Sequence, residues 1–443
     1  MTSGDAALLA YDEFARRIAD GKILTDPWLA GKPRFRRDPV FITPERLREM
    51  YRAAEEVAAV YNELCLVVAD HPELLDDFFC LTAFQKAMWL ASQPLWHGLA
   101  RADVFVTDEG LAFAELNCDT PTGEAEAIIL NALTVAEHPG AVDPNTALED
   151  RFVSMALALA ERELVALPEG DGAATRTRTI GLVYPTEMTD DLPLVRLYRG
   201  WFEARGHEVV LGSPYNLTES EAGMRLFDKP FSIMLRHYKT DWWGERASAW
   251  DDATIADTEA LSAALQWTLE SSVTGRCAVI NPFGAVVPQN KRAMALMWEH
   301  IHRFSPHAQE VIQRHIPVTS RLETMHREQL LAQRAEWVLK SDYGAEGEEV
   351  IVGRHVTDPV WSASLSHARR GRWIAQRYFA AETSANGESV NYGVYLVAGE
   401  ALGIYTRVAT GPTDDQALSA PALVRASSAR QNAGSNTPSM RTE

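Results

Sequence analysis

A mixed α/β fold with α+β character is predicted for this 443-residue chain from three observations. Two alternating runs flank Asp108-Glu109-Gly110, four apolar β-rich runs alternate with helical patterns mid-chain, and alternating strands return near the end. The first pattern reads as a hairpin, the second as a small parallel unit, and the third as antiparallel pairing. With 46% hydrophobic residues, the chain has enough apolar material for large cores and for two or three cooperating units.

In chain order, Thr43-Pro44-Glu45 reads as a helix start, with Thr43 as N-cap and Pro44 where a missing N–H costs nothing. Leu47, Met50, Tyr51, Ala54, Val57, Ala58, Tyr61, Leu64 and Cys65 then recur at helical spacing, the stripe of a scaffold helix. The runs 100–107 and 111–117 form the hairpin, and helical stretches at 124–135 and 147–164 lead to a linker-like cluster, Pro168-Glu169-Gly170-Asp171-Gly172. Strands are expected at 180–184, 208–211, 232–235 and 278–280, with a helix at 194–204. Asn290 caps a helix that opens Lys291-Arg292, and a strand at 335–340 follows. The remainder, with strands at 349–353, 373–379, 392–397 and 402–408, is expected to form an antiparallel sheet. The small polar stretch after Val424 is expected to be a disordered tail. No internal repeat is found.

Composition narrows the function. There are 61 acidic against 42 basic residues, a formal net charge of -19, so most of the surface would repel nucleic acid. Cys65, Cys80, Cys118 and Cys277 are widely spaced, form no CxxC pair and are expected to be small buried side chains, not a disulfide frame or zinc site. No apolar run approaches the roughly 18 residues of a membrane span, and the N-terminus lacks a signal-peptide pattern, so no membrane partner and a cytoplasmic location are expected. Neither GxGxxG nor GxxxxGK[ST] occurs in the α/β unit. His300 and His302, two apart on a helical run, lack the spacing of a shared metal face, and Trp242 and Trp243 read as core or pocket wall.

The hairpin carries the candidate chemistry. Alternate strand residues share a face, so Arg101 groups with Asp103 and Glu115 with Asn117, while Ala102, Val104, Ala112, Ala114 and Leu116 face the core. If the turn centres on Glu109, Asp103 faces Glu115 and Arg101 faces Asn117, with Cβ atoms roughly 5 Å apart. Two crowded carboxylates and an amide oxygen suit a hard cation such as magnesium, and an arginine fork suits a phosphate. Spacing alone favours a solvated hairpin face with a surface salt bridge, the commoner outcome for such a row by roughly three to one.

Several segments together resemble the glutathionylspermidine synthase family. They are LARADVFVTDEGLAFAELNCDTPTGEAEA, NPFGAVVPQNKRAMALMWE, WVLKSDYGAEGEEVIVG, IAQRYF and GIYTR, in the family's order and spanning about Thr43 to Val424. The resemblance implies a circularly permuted ATP-grasp fold with a small parallel pre-ATP-grasp-like α/β domain. Metal-binding strands would precede that domain and nucleotide-clamping strands would follow it. The implied division is residues 1–172 for the N-terminal helices and metal-binding half, 173–285 for the α/β domain, 286–425 for the clamping lid and closing strands, and 426–443 for the tail.

The resemblance further implies that Asp103, Glu115 and Asn117 hold Mg2+, and that Arg101 and Arg407 contact the transferring phosphoryl group. Lys291 and Lys340 would grip ATP phosphates, Gly344 and Gly347 would let a loop fold over them, and Gln376 would lie near the adenine. Lys291 has separate support, since a cation at a helix start opposes the dipole unless an anion sits there. The implied activity is ATP-dependent ligation of a small-molecule or peptide carboxylate to an amine through an acyl phosphate. Cys118 where the family has alanine, Ala345 where arginine is usual, and Ser341 in place of proline put substrate identity in doubt, and an amidase domain like the one fused to some family members is not expected. The competing class is a nucleotide-binding partner without turnover. The residues do not speak to oligomeric state.

Overall fold

The computed structural model describes residues 3–425 apart from 30, 94, 165–178, 221–222, 246–260, 345–348, 369–370, 412 and 414–415. The linker-like cluster at 168–172 and the tail from 426 onwards therefore lie outside the described residues. The architecture is mixed α/β, with two parallel sheets among the described residues, one of four strands and one of two, beside several antiparallel ones.

A five-stranded antiparallel sheet is built from two distant parts of the chain. Its order is Leu418–Ala420, Glu400–Ala409, Ser389–Val397, Leu99–Thr107 and Gly110–Asn117, so the C-terminal strands pair directly with the hairpin. The strands Ser389–Val397 and Glu400–Ala409 join through Ala398-Gly399, whose φ angles of 51° and 85° match a tight hairpin turn. Helix Pro44–Asp70 packs on both. Thr43 Oγ1 accepts from the Arg46 amide at 3.2 Å, and Met50, Ala54, Val57, Tyr61 and Leu64 are buried beneath it. The C-terminal remainder thus does not form the single antiparallel sheet expected of it.

The other strands of that remainder pair elsewhere. Thr319–Arg321, Trp373–Arg377, Trp337–Ser341 and Val350–Val352, in that order, make a separate four-stranded antiparallel sheet. Its own small core comprises Leu330, Trp337, Leu339, Trp361, Leu365, Trp373 and Ala375. Alternation shows that a strand has two faces without naming its neighbour, so one sheet and two sheets look alike in sequence.

The parallel unit is a four-stranded sheet in the order Ala278–Ile280, Ile233–Arg236, Thr179–Val183 and Glu208–Gly212. These strands are apolar because helices such as Leu192–Glu203 cover the sheet. A three-stranded antiparallel sheet over 217–231 was not anticipated from the sequence. Cys65, Cys118 and Cys277 are buried, but Cys80 is exposed, because it lies in a connection with φ 52° just before helix Ala83–Ser92.

Candidate active site

The hairpin turns through Asp108-Glu109, with Gly110 at φ +124°. Near the turn Thr107 pairs with Gly110 and Val104 with Phe113. Beyond Val104 the ladder steps by one residue, so that Asp103 faces Glu115 and Arg101 faces Asn117. Ala114 is the extra residue of a β-bulge, and without it Asp103 would face an alanine. The bulge also corrects the expected core face: Leu111, Phe113 and Leu116 are buried, whereas Ala112 and Ala114 are only half-buried.

Around these carboxylates the cations divide in two. Arg101 binds Asp103 through both arms of its fork, Nε to Oδ1 at 2.7 Å and Nη2 to Oδ2 at 3.1 Å. Its remaining arm donates to the Thr122 carbonyl at 2.7 Å. From the Glu400–Ala409 strand, Arg407 Nη2 reaches Asp103 Oδ2 at 3.3 Å, and Asn391 Nδ2 lies 3.4 Å from the same oxygen. Asp103 is 2% exposed, so these are desolvated charge-assisted contacts. Burial by itself would lower the Arg101 pKa, but the Asp103 charge outweighs it and raises it.

Lysines surround the other carboxylate. Lys291 Nζ is 3.4 Å from Glu115 Oε2, and Asn117 Nδ2 donates to Glu115 Oε1 at 3.3 Å. Lys291 also donates to the Gly344 carbonyl, while its own amide donates to Asp342 O at 2.9 Å. It stands at the N-cap of helix Arg292–Glu299, and Asn290 Oδ1 accepts from the Arg292 amide at 2.9 Å. Lys340 donates to the carbonyl of Ala114, the bulged residue, at 3.0 Å. Burial would raise the Glu115 carboxyl, but Lys291, Lys340 and Arg101 together hold it down at about 2. Burial pushes Lys340 down to about 8, against the pull of Glu115.

Gln376 is opposite Val338 and so shares a sheet face with Lys340. Its amide donates to Thr319 Oγ1 at 3.1 Å and lies against Met294 of the Lys291 helix. Gly344 is at the loop's stem, and Gly347 lies outside the described residues. The structure thus gathers Arg101, Asp103, Glu115, Asn117, Arg407, Lys291 and Lys340 around one end of the hairpin. Four cations against two carboxylates leave this group with excess positive charge, which a polyphosphate would complement.

Among the described residues no cluster of three or more His, Cys, Asp or Glu side chains could hold a metal. A site of two carboxylates and one amide oxygen fits magnesium, which keeps several positions for water and phosphate oxygens. It would suit zinc poorly.

A model of the family described as glutathionylspermidine synthase preATP-grasp matches residues 31–425. The chain belongs to that family. Family membership supports ATP-dependent carboxylate–amine ligation as the general class of activity. Among solved structures, a glutathione synthetase-like effector from Globodera pallida aligns with TM-score 0.58 and 10% identity, over 95% of this chain and 98% of that one. That likeness shows a shared fold. A putative gamma-glutamylcysteine synthetase from Methylobacillus flagellatus aligns with TM-score 0.44 and 12% identity over 87% of each chain. No curated protein matches this chain.

Two further residues next to this site act through partners that the sequence does not reveal. Asn391 sits in an apolar strand, and only pairing with the distant hairpin brings it to Asp103. Asp119, inside the NCDTP motif, is 2% exposed and bound by Arg236 Nη2 at 2.5 Å and by the Thr240 amide at 2.8 Å. Asn281 completes the junction with the parallel unit. It accepts from the amides of Gly98 and Leu99 and donates to the carbonyls of Leu99, Cys118 and Asp119. The segment between Asn117 and Thr122 is thereby locked to the α/β unit. An aspartate before Thr-Pro was a visible cue, but its partner lies 117 positions away.

Proposed function

We propose that this protein is an ATP- and magnesium-dependent ligase that joins a carboxylate to an amine through an acyl phosphate. The observation that carries the reading is the Asp103–Glu115 pair, with arginines on the first acid and lysines beside the second. Lys291 and Lys340 would hold ATP phosphates, with Gly344, Gly347 and Gln376 completing the nucleotide site. Asp103, Glu115 and Asn117 would hold magnesium, which when bound offsets the charge of the phosphate oxygens.

Arg101, fixed on Asp103 and Thr122, presents a preset fork, so little reorganisation accompanies the build-up of charge. A substrate carboxylate oxygen attacks the γ-phosphorus of ATP, and ADP leaves with the bonding electrons of the broken P–O bond. Arg101 and Arg407 stabilise the phosphoryl oxygens during that transfer. The amine then attacks the acyl carbon, phosphate departs, and the amine nitrogen gives up a proton to complete the amide. Both substrates are small-molecule or peptide species in this reading. A cytoplasmic setting belongs to it, and no helix among the described residues is long and apolar enough to cross a membrane.

The test supplies ATP, magnesium and a cell extract, follows phosphate release, and identifies new amides by mass spectrometry, with Glu115→Ala as control. A new amide accompanied by phosphate, absent with the variant, supports ligation. Nucleotide binding without phosphate release or amide, in the extract and in a panel of acid–amine pairs, would assign the protein to nucleotide binding without turnover.

A further inference from the structure

We propose that Gly393 is a positioning residue for Arg101, kept free of a side chain so that the guanidinium can lie across its strand. Gly393 is in the middle of strand Ser389–Val397, opposite Asp103 on one side and Tyr405 on the other. Its φ is outside the left-handed region, so the backbone itself does not call for glycine there. Glycine in a strand interior weakens the strand, having no side chain to pack and more freedom to lose on folding. The reason for it must therefore lie in a neighbour.

That neighbour is Arg101. A Cβ on Gly393 would lie 2.7 Å from Arg101 Cδ, 3.0 Å from Cγ and 3.1 Å from Nε. These are mid-chain atoms, and the group beyond them is tied down by Asp103 at 2.7 and 3.1 Å and by Thr122 O at 2.7 Å. The Tyr405 ring is 5.8 Å from the guanidinium carbon. The arginine cannot yield to a methyl group without disturbing these three bonds, two of which are short at 2.7 Å. Arg407 also reaches Asp103 across this strand, so displacement of Arg101 disturbs the acid that both arginines share.

The catalytic consequence rests on the ligase reading, whereas the collision does not, and a four-variant cycle separates them. Melting temperature and ATP-dependent phosphate release are measured for the unaltered protein, Gly393→Ala, Arg101→Ala and the double variant. With Arg101 present, Gly393→Ala lowers the melting temperature. With Arg101 removed, the same change raises it by about 1–3 °C, because alanine then restricts only the unfolded chain. Phosphate release by Gly393→Ala falls about 100-fold with the ATP KM nearly unchanged, the mark of a misplaced transition-state contact. A single variant that fails to fold alongside a double variant that folds supports the collision. An alanine effect of the same sign and size in both backgrounds, or failure of both to fold, overturns the proposal. Absence of turnover in the unaltered protein would sink the ligase reading and leave the melting cycle to decide Gly393. Gly200→Ala, inside helix Leu192–Glu203 with nothing within 4 Å of its added Cβ, is the unhindered control and should raise the melting temperature while leaving phosphate release unchanged.

Discussion

Asp103 and Glu115 face one another across neighbouring strands, yet each is answered by a different kind of cation. Two planar guanidinium groups meet on Asp103, while Lys291 contacts Glu115 and the charge of Lys340 acts on it. The acids thereby sort the basic residues into forks, suited to a planar phosphoryl group in flight, and point charges, suited to a resting phosphate chain.

Replacing Glu115 with alanine removes the counter-charge of two buried lysines and, in the proposed site, one of the oxygens that would hold the metal. Phosphate release is expected to fall by about 10²–10³-fold. Bound Mn2+, followed by electron paramagnetic resonance with a non-hydrolysable ATP analogue, should be lost as well. Retention of the Mn2+ signal would remove Glu115 from the ligand set.

Alkaline pH should weaken ATP binding through Lys340. Burial brings its pKa in the folded protein to about 8, against 10.5 for a free lysine, so the ammonium proposed to meet phosphate is discharged as pH rises through about 8. Between those values the unfolded chain keeps a proton the folded chain has shed, so this group adds stability as pH rises. ATP affinity therefore declines over that window while the nucleotide-free protein loses no stability through this lysine. Glu115, at about 2, stays ionised throughout. A binding titration at pH 7 and pH 9 should show the decline, and Lys340→Met should flatten it.

Arg407→Lys keeps a positive charge but loses the fork that reaches Asp103 and that, in the proposed mechanism, would also meet the phosphoryl oxygens. The expected result is a kcat lower by about 10²-fold, with the ATP KM within about twofold of the parent. Steady-state kinetics decide it; a change confined to KM would place Arg407 in ground-state nucleotide binding.

Asp119→Ala strands a guanidinium whose side chain is 0% exposed. Breaking a buried pair from one side costs about 3–5 kcal/mol, and the loss should appear as a lower midpoint of urea unfolding. Asp119→Asn, which can still accept from Thr240, should lose less. Equal midpoints for the parent and Asp119→Ala would show that the junction is not held by this pair.

How far the sequence reached is clearest at the hairpin. Its register was legible from two alternating runs about Glu109, although the same pairing is achieved by a two-residue turn plus a bulge at Ala114. One insertion compensates for the other, and periodicity cannot distinguish that from a longer turn. Lys291 was legible because a helix start with an asparagine before it is a local event. Asn391, Gly393 and the Asp119–Arg236 pair were not, because each acts through a partner far along the chain.

The sequence by itself determined the types of most elements about the site, the grouping of Arg101 with Asp103 and Glu115 with Asn117, and the family, since alternation, capping and motif order are written locally. Only the tertiary structure decided that the C-terminal strands split between two sheets, that Arg407 shares an acid with Arg101, and that a glycine leaves room for that arginine. Those outcomes depend on which strand edges pair and how closely backbones approach. Such contacts join residues hundreds of positions apart, and hydrophobic pattern carries no record of them.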